Sequence, residues 1–279
     1  MEILATLLNL FLLTFVVSSM LAMGLSLTIA QIAAPLKNGR LVAVALLANF
    51  VLIPLLAFGL ITLFQLETGL ATGLIIVSVV AGAPFLPKLA EAAKGDAPFS
   101  VGLMVLLMLV TIVYAPIVIP LAIPGATASV WSIAQPLIFM MLLPLGIGLF
   151  VKARYEETAV SLQPTFSQAS SISLIFMAVL MLIVNGEALI GALGTMAFVI
   201  AFLFTAIAFL ISYFLGGKDA GSKAVIGLGT AQRNLGAAFA IALSNFADDP
   251  NVIAMITVVA VVGLLVLMLT AGELGKRAE

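Results

Sequence analysis

Two cations, Lys88 and Arg233, lie inside stretches of sequence that otherwise consist of apolar residues. The chain has eleven Lys and Arg residues, and the others fall in short polar segments that alternate regularly along it. A charge near the centre of a bilayer costs about 2.5–3.5 kcal/mol on insertion scales, so it normally faces a partner or an aqueous cavity. Each of the two cations also lies in an apolar segment interrupted by Pro or Gly. The pair therefore predicts an anion site between interrupted helices.

The composition is that of a polytopic α-helical membrane protein. Hydrophobic residues make up 64% of the 279 residues, charged residues only 8%, and the mean hydropathy is +1.34. A soluble domain carries about 25% charged residues. Cys and His are both absent, which excludes disulfides, thiol chemistry and the usual transition-metal sites. The first apolar run lacks a basic leader and is longer than the core of a signal peptide, so we expect it to be a retained span.

Nine spans are predicted over one transmembrane domain, residues 1–279. A bilayer-crossing helix needs about 20 apolar residues. On that basis the spans lie near 3–29, 41–64, 69–93, 97–122, 130–151, 166–186, 188–216, 221–245 and 251–272. There is no linker or low-complexity tract, so we expect a single bundle.

Charges in the connecting loops predict the orientation of the chain. Basic residues follow the odd-numbered spans: Lys37, Arg40, Lys94, Lys152, Arg154, Lys218, Lys223, Lys276 and Arg277. The loops of the opposite side carry only acids: Glu2, Glu67, Glu187, Asp248 and Asp249. Because basic loops stay in the cytoplasm, we expect a multi-pass protein of the cell membrane with its N-terminus outside and its C-terminus cytoplasmic.

The third and eighth spans contain residues that interrupt helices. The predicted breaks are at Gly82, Pro84 and Pro87 in the third span and at Gly229 and Gly236 in the eighth. The second pair of glycines brackets the polar run Gln232-Arg233-Asn234. Pro removes a backbone donor and clashes with the preceding turn. Interrupted helices in matching positions of two halves are the best sequence indication of a transporter's binding site.

The two cations allow different interpretations. Lys88 is six residues from the cytoplasmic Lys94, about 9 Å along a helix, so it can also snorkel or pair with Glu91. Arg233 is ten residues from Lys223 and fifteen from Asp248, roughly 15 Å and 22 Å, which is beyond snorkelling reach. Glu91 is the one acid that could lie at a comparable depth, and if Arg233 has no acidic neighbour, a bound anion is its expected partner.

Five segments resemble the bile acid:sodium symporter family in order and spacing, and the likeness covers nearly the whole chain. They are MLAMGLSL (20–27), ANFVLIP (48–54), AAKGD (92–96), MLLPLGIG (141–148) and GTAQRNLGAA (229–238). The resemblance implies core and panel domains, two unwound helices that cross at the substrate site, and alternating access of an organic anion. It also implies a bacterial-type, nine-span member that lacks the first helix of ten-span relatives. The inverted repeat is then 4+5, with repeat one at 1–122 and repeat two at 130–272.

The chain departs from that family at the sodium sites. Where sodium-coupled relatives carry a Ser-Asn pair, this chain has Leu86-Pro87, and Leu228 replaces their Glu. Asn49 stands in place of a Gln, and Gln232 is kept. Sodium is a hard cation that binds oxygen ligands, so of the resembling positions only Asn49 and Gln232 are left as sodium candidates.

The sequence therefore predicts a secondary transporter that lies in the lipid bilayer and carries a small organic anion. We expect no enzymatic activity, no cofactor and no nucleic-acid partner. Arg233 and Lys88 would bind the anion, with Gln232, Asn234 and Asn49 orienting it. The two cations would replace two sodium ions as tethered charges, which makes transport sodium-independent. Two alternatives stay open: sodium-coupled symport with a rearranged ion site, and a non-transporting membrane receptor on the same fold.

Overall fold

A computed structural model describes residues 2–127 and 129–278, and within these ranges the chain is helical except for short turns and two breaks. The α-helices are α1 (Glu2–Ser26), α2 (Ile29–Leu36), α3 (Gly39–Leu47), α4 (Ile53–Phe64), α5 (Thr68–Val79), α6 (Leu86–Ala92), α7 (Ala97–Ala122), α8 (Val130–Leu137), α9 (Leu143–Arg154), α10 (Glu156–Val184), α11 (Gly186–Gly191), α12 (Ala197–Leu215), α13 (Ala220–Ala231), α14 (Leu235–Asn245) and α15 (Pro250–Arg277). Five-residue π-helical turns, Ala48–Leu52 and Ile138–Leu142, join α3 to α4 and α8 to α9.

Seven helical segments of the described chain are long and apolar enough to cross a membrane. Five are the single helices α1, α7, α10, α12 and α15. The other two, Gly39–Phe64 and Ile133–Arg154, each run through a π-helical turn. The helical content agrees with the predicted all-α polytopic membrane protein. The number of these segments is smaller than the nine spans predicted from the sequence. The predicted third and eighth spans each consist of two short helices, α5 with α6 and α13 with α14. None of these four helices reaches 18 residues. The nine-span count thus depends on whether each broken pair crosses the bilayer together.

Several helix boundaries differ from the prediction. Helix α10 begins at Glu156, ten residues before the predicted sixth span, because its polar first turns give no hydropathy signal. Acids at a helix N-terminus are favourable, and Lys152 Nζ lies 2.8 Å from the Glu156 carboxylate across the junction with α9. The long helix of the seventh span begins only at Ala197. The preceding turn contains Gly194 with a φ of +88°, a backbone conformation that glycine adopts at no steric cost.

The two π-helical turns have a common cause in the proline that follows each of them. Pro54 and Pro144 occupy the second positions of α4 and α9. A proline has no N–H, and its ring crowds the carbonyl four residues earlier, so the helix widens there. The carbonyl that Pro54 leaves free is that of Phe50, and it accepts a 2.7 Å hydrogen bond from the Tyr114 hydroxyl of α7.

The helices pack in two groups. Helix α1 contacts α10 and α9 along much of its length, and these three form the smaller group, with the second π-helical turn. A Cβ added to Gly24 of α1 would lie 2.8 Å from Gly148 Cα of α9, so these backbones touch. In the larger group α5, α12, α13 and α15 pack around one another and α7. A cavity separates the two groups.

Contacts outside the breaks also join the two broken helix pairs to neighbouring segments. A Cβ on Gly95, which follows α6, would lie 3.3 Å from the carbonyl of Gly221 near the start of α13. Asn251 Nδ2 lies 3.0 Å from Glu67 Oε1, which joins the residue before α5 to the start of α15.

Candidate functional site

The two broken helices touch each other at their breaks. The first break covers residues 80–85, between α5 and α6, and the second covers 232–234, between α13 and α14. The Asn234 backbone N–H donates to the Val80 carbonyl at 3.3 Å, and Asn234 Nδ2 donates to the Gly82 carbonyl at 3.1 Å. Unpaired backbone groups are costly in the membrane interior, so these bonds explain how both segments stay non-helical at depth.

Helix α7 supports the first break from the side. The Thr111 hydroxyl accepts from the Ala81 N–H at 2.9 Å and donates to the Ala81 carbonyl at 3.1 Å, so one side chain satisfies both backbone groups. Gly82 has a φ of +78°, and a Cβ there would clash with the backbone of Met108. A glycine is therefore required at this position both for conformation and for space.

Arg233 is buried at the crossing, with 3% of its surface exposed. Its Nε donates to the Val77 carbonyl at 3.2 Å and its Nη2 to the Ser78 carbonyl at 2.8 Å. Its Nη1 donates to Asn49 Oδ1 at 2.7 Å and to the Thr230 carbonyl at 3.1 Å. Four of the five guanidinium N–H groups therefore have protein acceptors, and one Nη2 hydrogen has none among the described residues.

These acceptors explain how a positive charge is stabilised without an acidic neighbour. Val77 and Ser78 lie in the last turn of α5, and Thr230 lies in the last turn of α13. The last carbonyls of a helix have no intrahelical donor and carry the negative end of the helix dipole. The guanidinium therefore binds carbonyls of two helix C-termini at once. Those of Ser78 and Thr230 have no other donor among the described residues, and that of Val77 also accepts from the Val80 N–H at 3.4 Å.

Asn49 completes the oxygen set around the guanidinium. It lies in the first π-helical turn and is fully buried. Its Nδ2 donates to the Ala45 carbonyl and to the Thr230 hydroxyl, both at 2.9 Å, which leaves Oδ1 oriented toward Arg233. Asn49 therefore positions Arg233 and is not one of the residues that line the cavity.

Lys88 lies apart from this cluster. Its Nζ is 3.1 Å from the Glu91 carboxylate and 3.4 Å and 3.3 Å from the hydroxyls of Ser167 and Ser171 on α10. It does not line the cavity, and it shares no contact with Arg233. The ion pair with Glu91 is the alternative that the sequence left open for this residue.

The predicted break residues lie in and around the two breaks. Gly82 and Pro84 belong to the first break, and Pro87 is the second residue of α6. Gly229 lies inside α13, where a Cβ would be 2.8 Å from Leu86 Cδ2. Gly236 is the second residue of α14. The second break therefore consists of the polar residues themselves, between the two glycines.

A cavity of about 180 Å³ lies between the two helix groups, with both breaks in its wall. Gln232, Arg233 and Asn234 line it at the crossing. Its other walls are apolar and come from α1, the end of α8, the second π-helical turn, α10 and α15: Leu12, Phe15, Val16, Leu137, Met140, Met141, Met177, Met181, Val259, Leu264 and Leu267. Arg233 is its one ionisable side chain among the residues that the structure describes.

Two polar groups of the cavity were not expected from the sequence. Thr205 of α12 is 1% exposed and lines the cavity, and its hydroxyl has no hydrogen-bond partner within the described ranges. The Gly236 N–H at the start of α14 also has no acceptor there. Gln232 Oε1, which the sequence did single out, is likewise buried without a partner. Thr205 has no sequence signal, because most threonines in apolar helices bond to their own backbone.

Comparison with known proteins identifies the family of the chain. The sequence profile described as "Sodium Bile acid symporter family" matches residues 12–192, well over half of the chain. The chain belongs to this family. The match includes Asn49 and Lys88 and ends before the second break, so Arg233 lies beyond it.

Curated relatives of this family member carry transporter names. It is 25% identical to the "Uncharacterized sodium-dependent transporter YocS" of Bacillus subtilis over 81% of this chain and 72% of the relative. It is 28% identical to the "Probable sodium/metabolite cotransporter BASS2, chloroplastic" of rice over 52% of this chain and 36% of the relative. The Arabidopsis thaliana protein named "Probable sodium/metabolite cotransporter BASS3, chloroplastic" is 24% identical over 70% of this chain and 45% of its own length. These names indicate a membrane transporter of small molecules.

Proposed function

We propose that the protein is a secondary transporter of a small organic anion, which binds in the cavity between the two helix groups. Family membership supports the transporter role. The anionic substrate is supported by Arg233, since it is the one ionisable side chain among the described residues of the cavity. Gln232 and Asn234 would orient the substrate. Movement of the smaller helix group against the larger one would open the cavity to each side in turn.

We further propose that transport does not require sodium, because the guanidinium of Arg233 acts as a tethered cation. The observation that carries this proposal is the set of four oxygens around it, from Val77, Ser78, Thr230 and Asn49. Oxygen atoms of this kind are the ligands of hard cations. The permanent positive charge of the guanidinium at this position would replace the positive charge of a bound sodium ion. Because Lys88 is paired with Glu91, the proposal rests on Arg233 alone.

Sodium-coupled symport with a rearranged ion site is the second candidate. The names of the three relatives favour it, since each contains the word sodium. The buried, unpartnered Oε1 of Gln232 favours it as well, because it is an oxygen available to a cation. In this case Arg233 would be a structural residue that stabilises the crossing.

The membrane arrangement is part of the same proposal. Each broken pair would cross the bilayer as one span, which brings the total to nine and divides the chain into repeats of four and five. The loops after the third and seventh spans would then be cytoplasmic, together with the C-terminus, and the N-terminus would lie outside. Basic residues Lys94 and Lys218 in those loops support this orientation.

The experiment that tests these proposals is uptake into proteoliposomes. The purified protein would first be screened by thermal unfolding against organic anions, each in sodium and in potassium buffer. A ligand present at a hundredfold its dissociation constant adds about 2.7 kcal/mol of stability, which is easily measured. The ligands found would then be tested for uptake under imposed sodium gradients. We expect uptake that is independent of the gradient, whereas gradient-driven uptake would select the second candidate.

A further inference from the structure

The substrate class can be narrowed further, in a step that rests on the proposed function. We infer that the substrate is a small carboxylate with a single negative charge and an apolar body. Its carboxylate would lie at the polar end of the cavity, between Arg233, the start of α14 and Thr205. Its body would lie among the methionines of the opposite wall, on the second π-helical turn and α10.

The charge of the substrate follows from the charge of the cavity. Arg233 contributes one positive charge, and the described residues of the cavity wall include neither a second cation nor an acid. Lys88 lies elsewhere and has Glu91 as its partner. A second carboxylate would be desolvated without a counter-charge, which is strongly unfavourable in a wall as apolar as this one. A single negative charge therefore matches the site, and two do not.

The size of the substrate follows from the volume of the cavity. An apolar protein cavity of about 150 Å³ accommodates benzene, and this cavity measures about 180 Å³. It therefore holds roughly seven to nine non-hydrogen atoms in the conformation described. A steroid-sized anion is several times larger. Four methionines line the wall: Met140, Met141, Met177 and Met181. Because methionine side chains adapt to different shapes, we expect branched and aromatic bodies of this size to bind alike.

The position of the carboxylate follows from unused donors. The Gly236 N–H opens helix α14, whose dipole favours an anion at this end. The Thr205 hydroxyl is an independent indication, because this side chain is 1% exposed, lines the cavity and has no partner in the chain as described. The remaining Nη2 hydrogen of Arg233 is a third donor. Gly263, which also lines the cavity, lies next to this hydroxyl, since a Cβ on it would be 3.8 Å from the hydroxyl oxygen.

The first test compares ligands that differ in one property. Calorimetric titration of the purified full chain in potassium buffer would use 4-methylpentanoate and benzoate as the expected ligands. The neutral 4-methylpentanamide, the dicarboxylates 2-methylsuccinate and phthalate, and the steroid acid cholate would be the comparisons. We expect both monocarboxylates to bind, and each comparison compound to bind at least tenfold more weakly than they do.

The second test compares matched variants of two buried threonines. Thr257 of α15 is fully buried, and its hydroxyl also lacks a partner, but it does not line the cavity. Thr205→Val is expected to weaken 4-methylpentanoate binding roughly tenfold or more, because a hydrogen bond to a charged group is lost. Thr205→Ser keeps the hydroxyl and should bind as the wild type does. Thr257→Val should also leave the affinity unchanged.

The binding results distinguish a wrong substrate class from a wrong proposed function. Tighter binding of a dicarboxylate or of cholate than of 4-methylpentanoate would overturn the substrate class and leave an anion transporter in place. Equal loss of affinity in Thr205→Val and Thr257→Val would overturn the position assigned to the carboxylate. If no anion of any of these classes binds, and none exchanges across proteoliposomes, the proposed function itself is refuted.

Discussion

Replacement of Arg233 by alanine gives the most direct test of the tethered cation. The change removes four hydrogen bonds and leaves the carbonyls of Ser78 and Thr230 buried without a donor among the described residues, while the Val77 carbonyl keeps the Val80 N–H at 3.4 Å. Each orphaned carbonyl costs about 1–3 kcal/mol, and relief of the guanidinium's own desolvation offsets part of the sum. We expect a net loss of about 3–5 kcal/mol, as when one partner of a buried charged network is removed.

The same variant should gain a response to salt that the wild type lacks. Without the guanidinium the three carbonyls and Asn49 Oδ1 surround an empty position, which a small cation can fill. At ten times its dissociation constant, sodium would restore about 1.4 kcal/mol. The assay is thermal unfolding of the purified proteins in sodium, potassium and choline chloride at one ionic strength. We expect the Arg233→Ala midpoint to be highest in sodium and the wild-type midpoint to be the same in all three.

Lys88→Ala provides the matched control, since it removes the other cation of a predicted span. The Glu91 partner of Lys88 is 58% exposed, and exposed ion pairs contribute at most about 1 kcal/mol. The control should therefore unfold close to the wild type and show no preference for sodium. Arg233 does not act as a tethered cation if Arg233→Ala is as stable as the wild type, or if the wild type itself needs sodium for full stability.

Three other predictions concern the break, the π-helical turn and the orientation. Gly82→Ala should reduce the yield of folded protein in size-exclusion chromatography, because the left-handed backbone and the contact with α7 both exclude a Cβ; a wild-type yield would contradict this. Tyr114→Phe should lower thermal stability by about 1–3 kcal/mol, since the Phe50 carbonyl loses its donor; an unchanged midpoint would show that another donor replaces it. The natural chain has no cysteine, so single cysteines can be introduced directly. An impermeant maleimide should label Glu67→Cys on intact cells and Asn38→Cys only after permeabilisation, and the reverse pattern would invert the topology.

Helices and breaks of this fold can be predicted from the sequence where apolar runs define a span or where Gly and Pro interrupt one. The first break contains Gly82 and Pro84, whose conformational restrictions are intrinsic to the residue type. The start of α10 at Glu156 could not be predicted in the same way. Its first turns are polar, and hydropathy records transfer into lipid and not helix formation. The short helix α2 lies outside the predicted spans for a different reason: it is apolar but only 8 residues long, too short to cross a bilayer, although Thr28 and Gln31 form a capping box at its start.

The candidate site was only partly predictable, because its most important contacts use backbone atoms. Arg233 could be identified from its depth in an apolar segment, but its acceptors are mainly carbonyl groups, which every residue has. Their availability depends on where α5 and α13 end. Thr205 and the four methionines come from helices distant in sequence, so only the packing of the two helix groups brings them together.

The attachment of the positive charge to the chain has a consequence for the direction of transport. A bound ion can leave on one side, but a side chain travels with the carrier and returns with it. Over a complete cycle its movement cancels, and the net charge translocated is that of the substrate alone. In a cell with a membrane potential of 100 mV, negative inside, one charge corresponds to about 2.3 kcal/mol, or roughly fiftyfold in concentration. A carrier built in this way would export a monovalent anion at rest, and it would accumulate one only in exchange for another or together with a proton.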